Sequence, residues 1–342
     1  MVRSVTEIPV NALIGARLRR ALPLLIALVV GASIIALYLG YKEIGLRTIL
    51  SDALQRDVFF RLRLPRVLMA AMVGGSLAAT GAALQALFRN PLAEPFTLGV
   101  SGGAALGAAV ALSAGLSLNL LGVPIVFLSA FVGAGLAMYV VYSLARAGQI
   151  VMPGALLLAG VVLNLCASAA VMLLQYLTDY TRALQILRWM LGTLDTVGYD
   201  LIWKMLLFLI PALAVLFYHS RDLNLIAIGS DSAETLGIDV VRVERRVYVA
   251  SSLIVAVTAS VGGTIGFVGL IVPHTVRLIG GQDLRLVLPC SFLVGAAFLM
   301  IADAAARTVI SPSELPVGIL TALLGGPFFL WLMRRDRRVT AL

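Results

Sequence analysis

Charge is what this sequence has least of. Of its 342 residues, 26 are Lys or Arg and 17 are Asp or Glu, 13% together, against roughly 25% in a soluble domain. Apolar residues make up 61%, and the mean hydropathy is +1.02. A soluble enzyme, a disordered chain and a secreted disulfide module are all excluded by these proportions. Cysteine is nearly missing too. Cys166 and Cys290 both lie in apolar runs, which speaks against a disulfide framework or a thiolate metal site. His219 and His274 are the only histidines, too few for a protein-built metal cage. One of them could still ligate a haem iron, but both fall near expected cytoplasmic span ends. Lysine occurs only at Lys42 and Lys204, neither preceded by glycine. The G-x-x-x-x-G-K-[ST] phosphate loop is therefore lacking, and any nucleotide hydrolysis has to come from a partner.

What is present is a series of long apolar runs, each about the 20 residues that a spanning helix needs. Ala21 to Tyr41 is the first. It is long enough to span, and no small-residue cleavage site in polar surroundings follows it, so it reads as a helix and not as a removable leader. Val67 to Phe88 is the second. Pro95 to Ala145 runs 51 residues without a charge and reads as two spans broken near Ser117–Pro124, where Asn119, Gly122 and Pro124 favour a turn. Span five lies within Ala147 to Thr178, starting near Gly154, and span six is Leu201 to Tyr218. Val247 to Val276 is too long for one crossing. Its Gly262-Gly263 pair and Gly266 predict a turn back into a shorter eighth helix ending near Arg277. Leu286 to Ala302 and Leu315 to Met333 complete ten. The fold class is thus an all-α polytopic membrane protein with ten transmembrane helices in one domain, 1–342.

Ten spans put both termini on one side. With both termini in the cytoplasm, most of the 26 basic residues fall in cytoplasmic segments, as the positive-inside rule requires. These segments include 1–20 and the long loop 219–246, which holds Arg221, Arg242, Arg245 and Arg246. The net charge of +9 follows from this topology and needs no nucleic acid. Gly99, Gly103 and Gly107 repeat every fourth residue, a row that lets two helices approach closely in lipid.

The same sequence weighs the possible activities. Ion-coupled carriers place ionisable residues inside their helices, and the charge-free runs contain none, since Lys204, Asp303, Arg307 and Glu314 all fall near predicted span ends. Gly99-Val100-Ser101-Gly102 matches the G-x-S-G of intramembrane serine proteases, with His274 as a candidate base. Such a match arises easily by chance in a glycine-rich chain, and the structural reading is that Ser101 bonds a neighbouring carbonyl. Four polar stretches carry more. Phe60-Arg61-Leu62-Arg63-Leu64-Pro65-Arg66 places three arginines at an outer edge, suited equally to lipid phosphate and to carboxylates of a docking protein. Gln85 to Pro95 is a loop punctuated by Pro91 and Pro95. Ala227 to Ile238 reads as a short helix capped by Ser230 or Asp231, with Glu234 in its first turn and Gly237 at its end, a shape that fits a partner's groove. The fourth stretch is Gly266 to His274, followed by Arg277.

Together these segments resemble the FecCD family of permease subunits, which belong to importers of iron–siderophore complexes, haem and vitamin B12 driven by ABC ATPases. RLPR, QALFRNPLAEP, LGVSGGA, LLLAG, GFVGLIVPH and ELPVGI occur in the family's order, from about Arg63 to Met333. The resemblance implies a homodimer in the bacterial inner membrane with no permanently bound cofactor. It implies two cytoplasmic ATPase subunits, which carry the ATP and Mg, and one periplasmic substrate-binding protein. It places binding-protein docking on Arg63, Arg66 and Arg307, and ATPase coupling on Gly229, Ala233, Glu234, Leu236 and Gly237. The cytoplasmic gate carries over to Asn90, Leu92, Met152, Pro153 and Gly154. The vitamin B12 member has small polar residues where this chain has Met152-Pro153-Gly154. That departure favours haem or a ferric siderophore as cargo, with vitamin B12 the alternative.

Overall fold

The computed structural model describes residues 10–39, 52–120, 122–147, 150–151, 153–310 and 313–339. Helices carry almost all of it. The first is α1 (Val10–Tyr38), followed by α2 (Ala53–Leu87). A 3-10 turn at Pro95–Leu98 leads into α3 (Val100–Ser113). A two-stranded turn pairs β1 (Asn119–Leu120) with β2 (Val123–Pro124), antiparallel, where the break between spans is expected. Then come α4 (Ile125–Ala145), a second short ribbon of β3 (Arg146–Ala147) and β4 (Ile150–Val151), α5 (Pro153–Leu177) and α6 (Tyr180–Met190). The remaining helices are α7 (Asp200–Tyr218), α8 (Ser220–Ile228), α9 (Ser230–Thr235), α10 (Val240–Gly262), α11 (Val268–Gly280), α12 (Leu284–Thr308) and α13 (Val317–Val339).

Each of the ten expected spans lies on a helix of its own. Among the described residues six helices are long and apolar enough to cross a membrane: α1, α2, α4, α5, α7 and α12. Three expected spans lie on shorter apolar segments, Val100–Ser113, Val268–Gly280 and Val317–Trp331, while α10 carries the charges of Arg242 to Arg246 on its first two turns. The turn back after Gly262 is present. Gly263 (φ 68°) leaves the helix and the chain returns as α11.

Helix α2 is the hub, buried along nearly its whole length from Val67 to Phe88. Lipid tails are as apolar as leucine, so tight contact between small residues holds the helices together. Gly74 of α2 packs on the Gly295 carbonyl of α12. A Cβ at Gly81 would stand 1.8 Å from the Gly269 carbonyl oxygen of α11, so only glycine permits that approach. The predicted small-residue row works the same way. Gly103 and Gly107 of α3 press against the backbone at Gly133 and Ser129 of α4. By contrast α1, α5 and α7 expose large apolar side chains such as Leu24, Leu165, Tyr176, Trp203 and Leu207, a surface suited to lipid or to another apolar face.

Two features depart from the sequence reading. Phe59–Arg63 is a π-helical turn inside α2. Its carbonyls are taken from the side, Phe60 by the Tyr199 hydroxyl at 2.7 Å and Arg61 by the Gly198 N–H at 2.8 Å, the kind of outside partner that opens a helix turn. Helix α6 was not expected. It is amphipathic and starts at Asp179, whose carboxylate accepts the Arg182 N–H at 3.0 Å. That is the N-cap arrangement that nucleates a helix too short to span.

Candidate functional site

Most of the candidate residues lie near the two ends of α2, about 36 Å apart for its 24-residue stretch Leu64–Leu87. At the first end Asp303 of α12 is the centre. Its side chain is 1% exposed, yet it is fully engaged. Arg66 donates Nε and Nη2 to it at 3.0–3.1 Å, and Arg307 Nε stands 3.1 Å from Oδ2. Arg66 Nη1 reaches two exposed carboxylates as well, Glu314 at 2.8 Å and Asp195 at 3.1 Å. The expectation of spans free of buried charge is therefore corrected here. The charges are inside because they neutralise one another, which is the condition for burying them.

The arginines expected to dock a partner are thus placed mostly inward. Arg66 and Arg307 are 14% and 6% exposed. Arg307 Nη2 donates to the Ala36 carbonyl at 2.9 Å, and Arg63 Nη1 to the Leu37 carbonyl at 3.0 Å. Both arginines therefore cap the last carbonyls of α1, where a cation also suits the helix dipole. The three arginines line one cavity of about 410 Å³, with Asp195 and Glu314 on its wall. The structure brings these residues together, and it adds Asp303 and Asp195, which sequence reasoning missed. Asp303 four residues before Arg307, an i,i+4 pair, was the signal available.

At the other end stand α8 and α9, an elbow hinged at Gly229. Gly229 takes the N-cap position of α9, and Ser230 and Asp231 do not cap it. Ser230 Oγ instead accepts a bond from Arg89 Nη2 at 3.1 Å. Gly237 ends the helix as expected, at φ 85°. Its N–H donates to the Glu234 carbonyl at 2.9 Å, and that of Ile238 to the Ala233 carbonyl at 3.1 Å, a Schellman closure. Ala233 is fully buried against the chain itself, whereas Glu234 and Leu236 face outward, Leu236 at 66% exposure.

Asn224 of α8 anchors the elbow. Its amide donates to Asp283 Oδ1 and its carbonyl accepts the Leu284 N–H, both at 2.8 Å. Asp283 also caps α12, and the Arg285 guanidinium holds its carboxyl down to about 2. A carboxyl pKa lowered on folding stabilises above the unfolded value and loses that contribution as pH falls through the folded one. Asp283→Ala is expected to cost about 1 kcal/mol at neutral pH, as a lost N-cap, and the difference from the unsubstituted protein should shrink as pH approaches 2. Thermal unfolding in detergent across pH measures it, and a pH-independent gap would refute the assignment.

The residues expected to form the gate fall at two separate places. Asn90 and Leu92 lie between α2 and α3, where Asn90 Oδ1 accepts the Leu92 N–H at 2.9 Å. Pro153 opens α5 and Gly154 follows it, exposed. Met152 lies outside the described residues. The other candidates have structural partners. Ser101 Oγ donates to the Phe96 carbonyl at 3.2 Å, and the His274 ring meets Phe328 edge-on at 6.3 Å. His219 Nδ1 bonds Asp222 at 2.6 Å and Lys204 Nζ donates to the Gly122 carbonyl at 2.8 Å. Among the described residues no group of three or more His, Cys, Asp or Glu is placed to hold a metal.

Comparison with known proteins gives this arrangement its relatives. The profile of the FecCD transport family matches residues 24–335. The hemin transport system permease protein of Yersinia pestis is 38% identical over 316 residues, 92% of this chain and 94% of that one. The cobalamin import system permease protein of Halobacterium salinarum is 42% identical over 282 residues, 82% of this chain and 74% of that one. Among solved structures, an inward-facing metal-chelate type ABC transporter superposes with a TM-score of 0.80 at 32% identity, covering 91% of this chain and 97% of that one.

Proposed function

The chain belongs to the FecCD transport family, as a multi-pass ABC importer permease, and we propose that it moves an iron chelate, haem or a ferric siderophore, from periplasm to cytoplasm by alternating access. In this reading ten helices cross the bacterial inner membrane as one domain, both termini are cytoplasmic, and two copies form a homodimer around one path. The permease is a transport subunit and not itself catalytic. ATP and Mg would bind two cytoplasmic ATPase subunits, and no cofactor would stay bound to this chain.

The observation that carries the reading is the α8–α9 elbow. It is a short outward-facing helix pair with exposed apolar tips, Ile228 and Leu236, on a chain without a phosphate loop of its own. Such a pair suits a groove in a partner, and Arg242, Arg245 and Arg246 just beyond it suit the cytoplasmic side. At the other end, the cavity of Arg63, Arg66 and Arg307 would receive carboxylates of a periplasmic binding protein. ATP binding and hydrolysis in the partner would shift the dimer between outward-open and inward-open populations.

Cargo is the part that a single uptake experiment decides. A deletion strain of the source organism, fed labelled haem, ferric siderophore or vitamin B12, is expected to lose haem or siderophore uptake and to regain it with this gene. Loss of vitamin B12 uptake alone would replace the iron-chelate reading by the second one, which the cobalamin relative supports. Loss of none would mean either that a second importer covers the loss or that the cargo lies outside these three.

A further inference from the structure

Two non-glycine residues among those described hold left-handed backbone, Arg89 at φ 48° and Phe267 at φ 68°. Side chains rarely tolerate that region, and residues held there cluster in parts of proteins that switch. These two lie far apart in sequence, yet one segment, 89–94, touches both. At its start Arg89 Nη2 donates to Ser230 Oγ of α9 at 3.1 Å, and the Arg89 charge lies near Glu244 of α10. At its end a Glu94 carboxylate oxygen accepts the Phe267 N–H, at the point where α11 begins.

The segment between is built to be stiff. Asn90 N–H donates to the Gln85 carbonyl at 3.1 Å, tying it to α2, and Ala93 N–H donates to the Asn90 carbonyl at 3.1 Å. The Asn90 side chain closes on Leu92. Ala93 is buried at 2% exposure, and Pro91 and Pro95 fix their own dihedrals. Pro95 then lies against Gly269, where a Cβ would come within 2.6 Å of the proline ring. Gly269 in turn is the residue packed on Gly81, six residues before the end of α2. The far end of the segment is therefore set deep in the bundle, while its near end sits on the exposed elbow.

We propose that residues 89–94 form a rigid strut that carries displacement of α9 to the start of α11, with Arg89 and Glu94 as the positioning residues at its two ends. The inference rests on the importer reading, in which α9 is what the ATPase moves. Asn90 and Leu92, the gate positions of the α2–α3 loop, ride on this strut, so motion of the elbow and motion of the gate are one event. Arg89 is exposed, so its replacement spares the packed core.

The test uses the whole transporter, permease with its ATPase subunits and binding protein, in proteoliposomes loaded for haem, ferric siderophore or vitamin B12 uptake. Hydrolysis and uptake are measured together. Arg89→Ala and Glu94→Ala are expected to keep ATP hydrolysis while uptake per ATP falls by about tenfold, within the usual range of a coupling loss. Arg89→Lys and Glu94→Gln, which keep a donor and an acceptor, should restore most of it. Unchanged uptake per ATP in Arg89→Ala, or hydrolysis and uptake falling in proportion, would overturn the strut. Hydrogen exchange on the purified permease separates this from the importer reading. Glu94→Ala should speed exchange at the Phe267 amide even if no ATP-driven uptake exists, and unchanged exchange there would remove the Glu94 anchor.

Discussion

Replacing Asp303 by leucine is expected to destabilise this protein by about 3–5 kcal/mol, as removing one partner of a buried ion pair does. Asp303 is the shared carboxylate of two guanidinium groups that are themselves buried. Without it Arg66 and Arg307 face each other as like charges in a medium that screens them poorly. The lower end of the range is the better estimate, because Arg66 keeps Glu314 and Asp195 and Arg307 keeps the Ala36 carbonyl. Asp303→Asn, which retains one acceptor oxygen, should lie between. Combining Asp303→Leu with Arg307→Met should recover part of the loss, since residues sharing a network do not act additively. The midpoint of thermal unfolding in detergent, followed by loss of the monodisperse species, is the measurement. A midpoint within about 1 °C of the parent, under about 1 kcal/mol for a chain of this size, would show that the cluster holds nothing together.

The second large effect lies at the opposite end. Leu236→Glu is expected to reduce ATP-driven uptake by about 30-fold or more, the loss of a central apolar anchor of about 2 kcal/mol, while the permease still elutes and melts like the parent. Leu236 is the outward apolar residue at the C-cap of α9, so nothing in the chain's own packing depends on it. Ala233 is the wrong place for the same experiment. It is fully buried on the inner face of α9, and a charged group there would break the seat of the helix and not its contact with a partner. Uptake at the parent rate in Leu236→Glu would sink the coupling role of α9.

The helices were legible because apolar runs of spanning length have few other uses. The turn at 119–124, the reversal at Gly262–Gly263 and the stop at Gly237 were legible because glycine and proline restrict backbone in ways that do not depend on context. What lay hidden depended on partners remote in sequence. Asp303 looked like a span-end charge because its main partner, Arg66, is 237 positions away. The π turn at Phe59–Arg63 exists to meet Tyr199 and Gly198, which no local pattern announces. Helix α6 is too short and too polar to register against a search for spans. Arg63, Arg66 and Arg307, named together from the sequence, do line one cavity, but their bonds to α1 and to Asp303 were invisible. Glu94 drew no notice in the loop that Pro91 and Pro95 punctuate, and its bond to Phe267 requires knowing where α11 returns.

The acidic company of Arg66 changes what kind of event an arriving carboxylate would take part in. Asp195 and Glu314 are 68% and 51% exposed, and both rest on a guanidinium that Asp303 holds from behind. A carboxylate from another protein would not find a vacant cation; it would displace one of these two, so the association is a ligand exchange in which an ion pair is broken for each one made. Exchange of this kind gains little net charge neutralisation, so its equilibrium should depend less on salt than attraction to a bare arginine would, and its selectivity would rest on how well the incoming side chain fits the cavity that Asp195 and Glu314 leave behind.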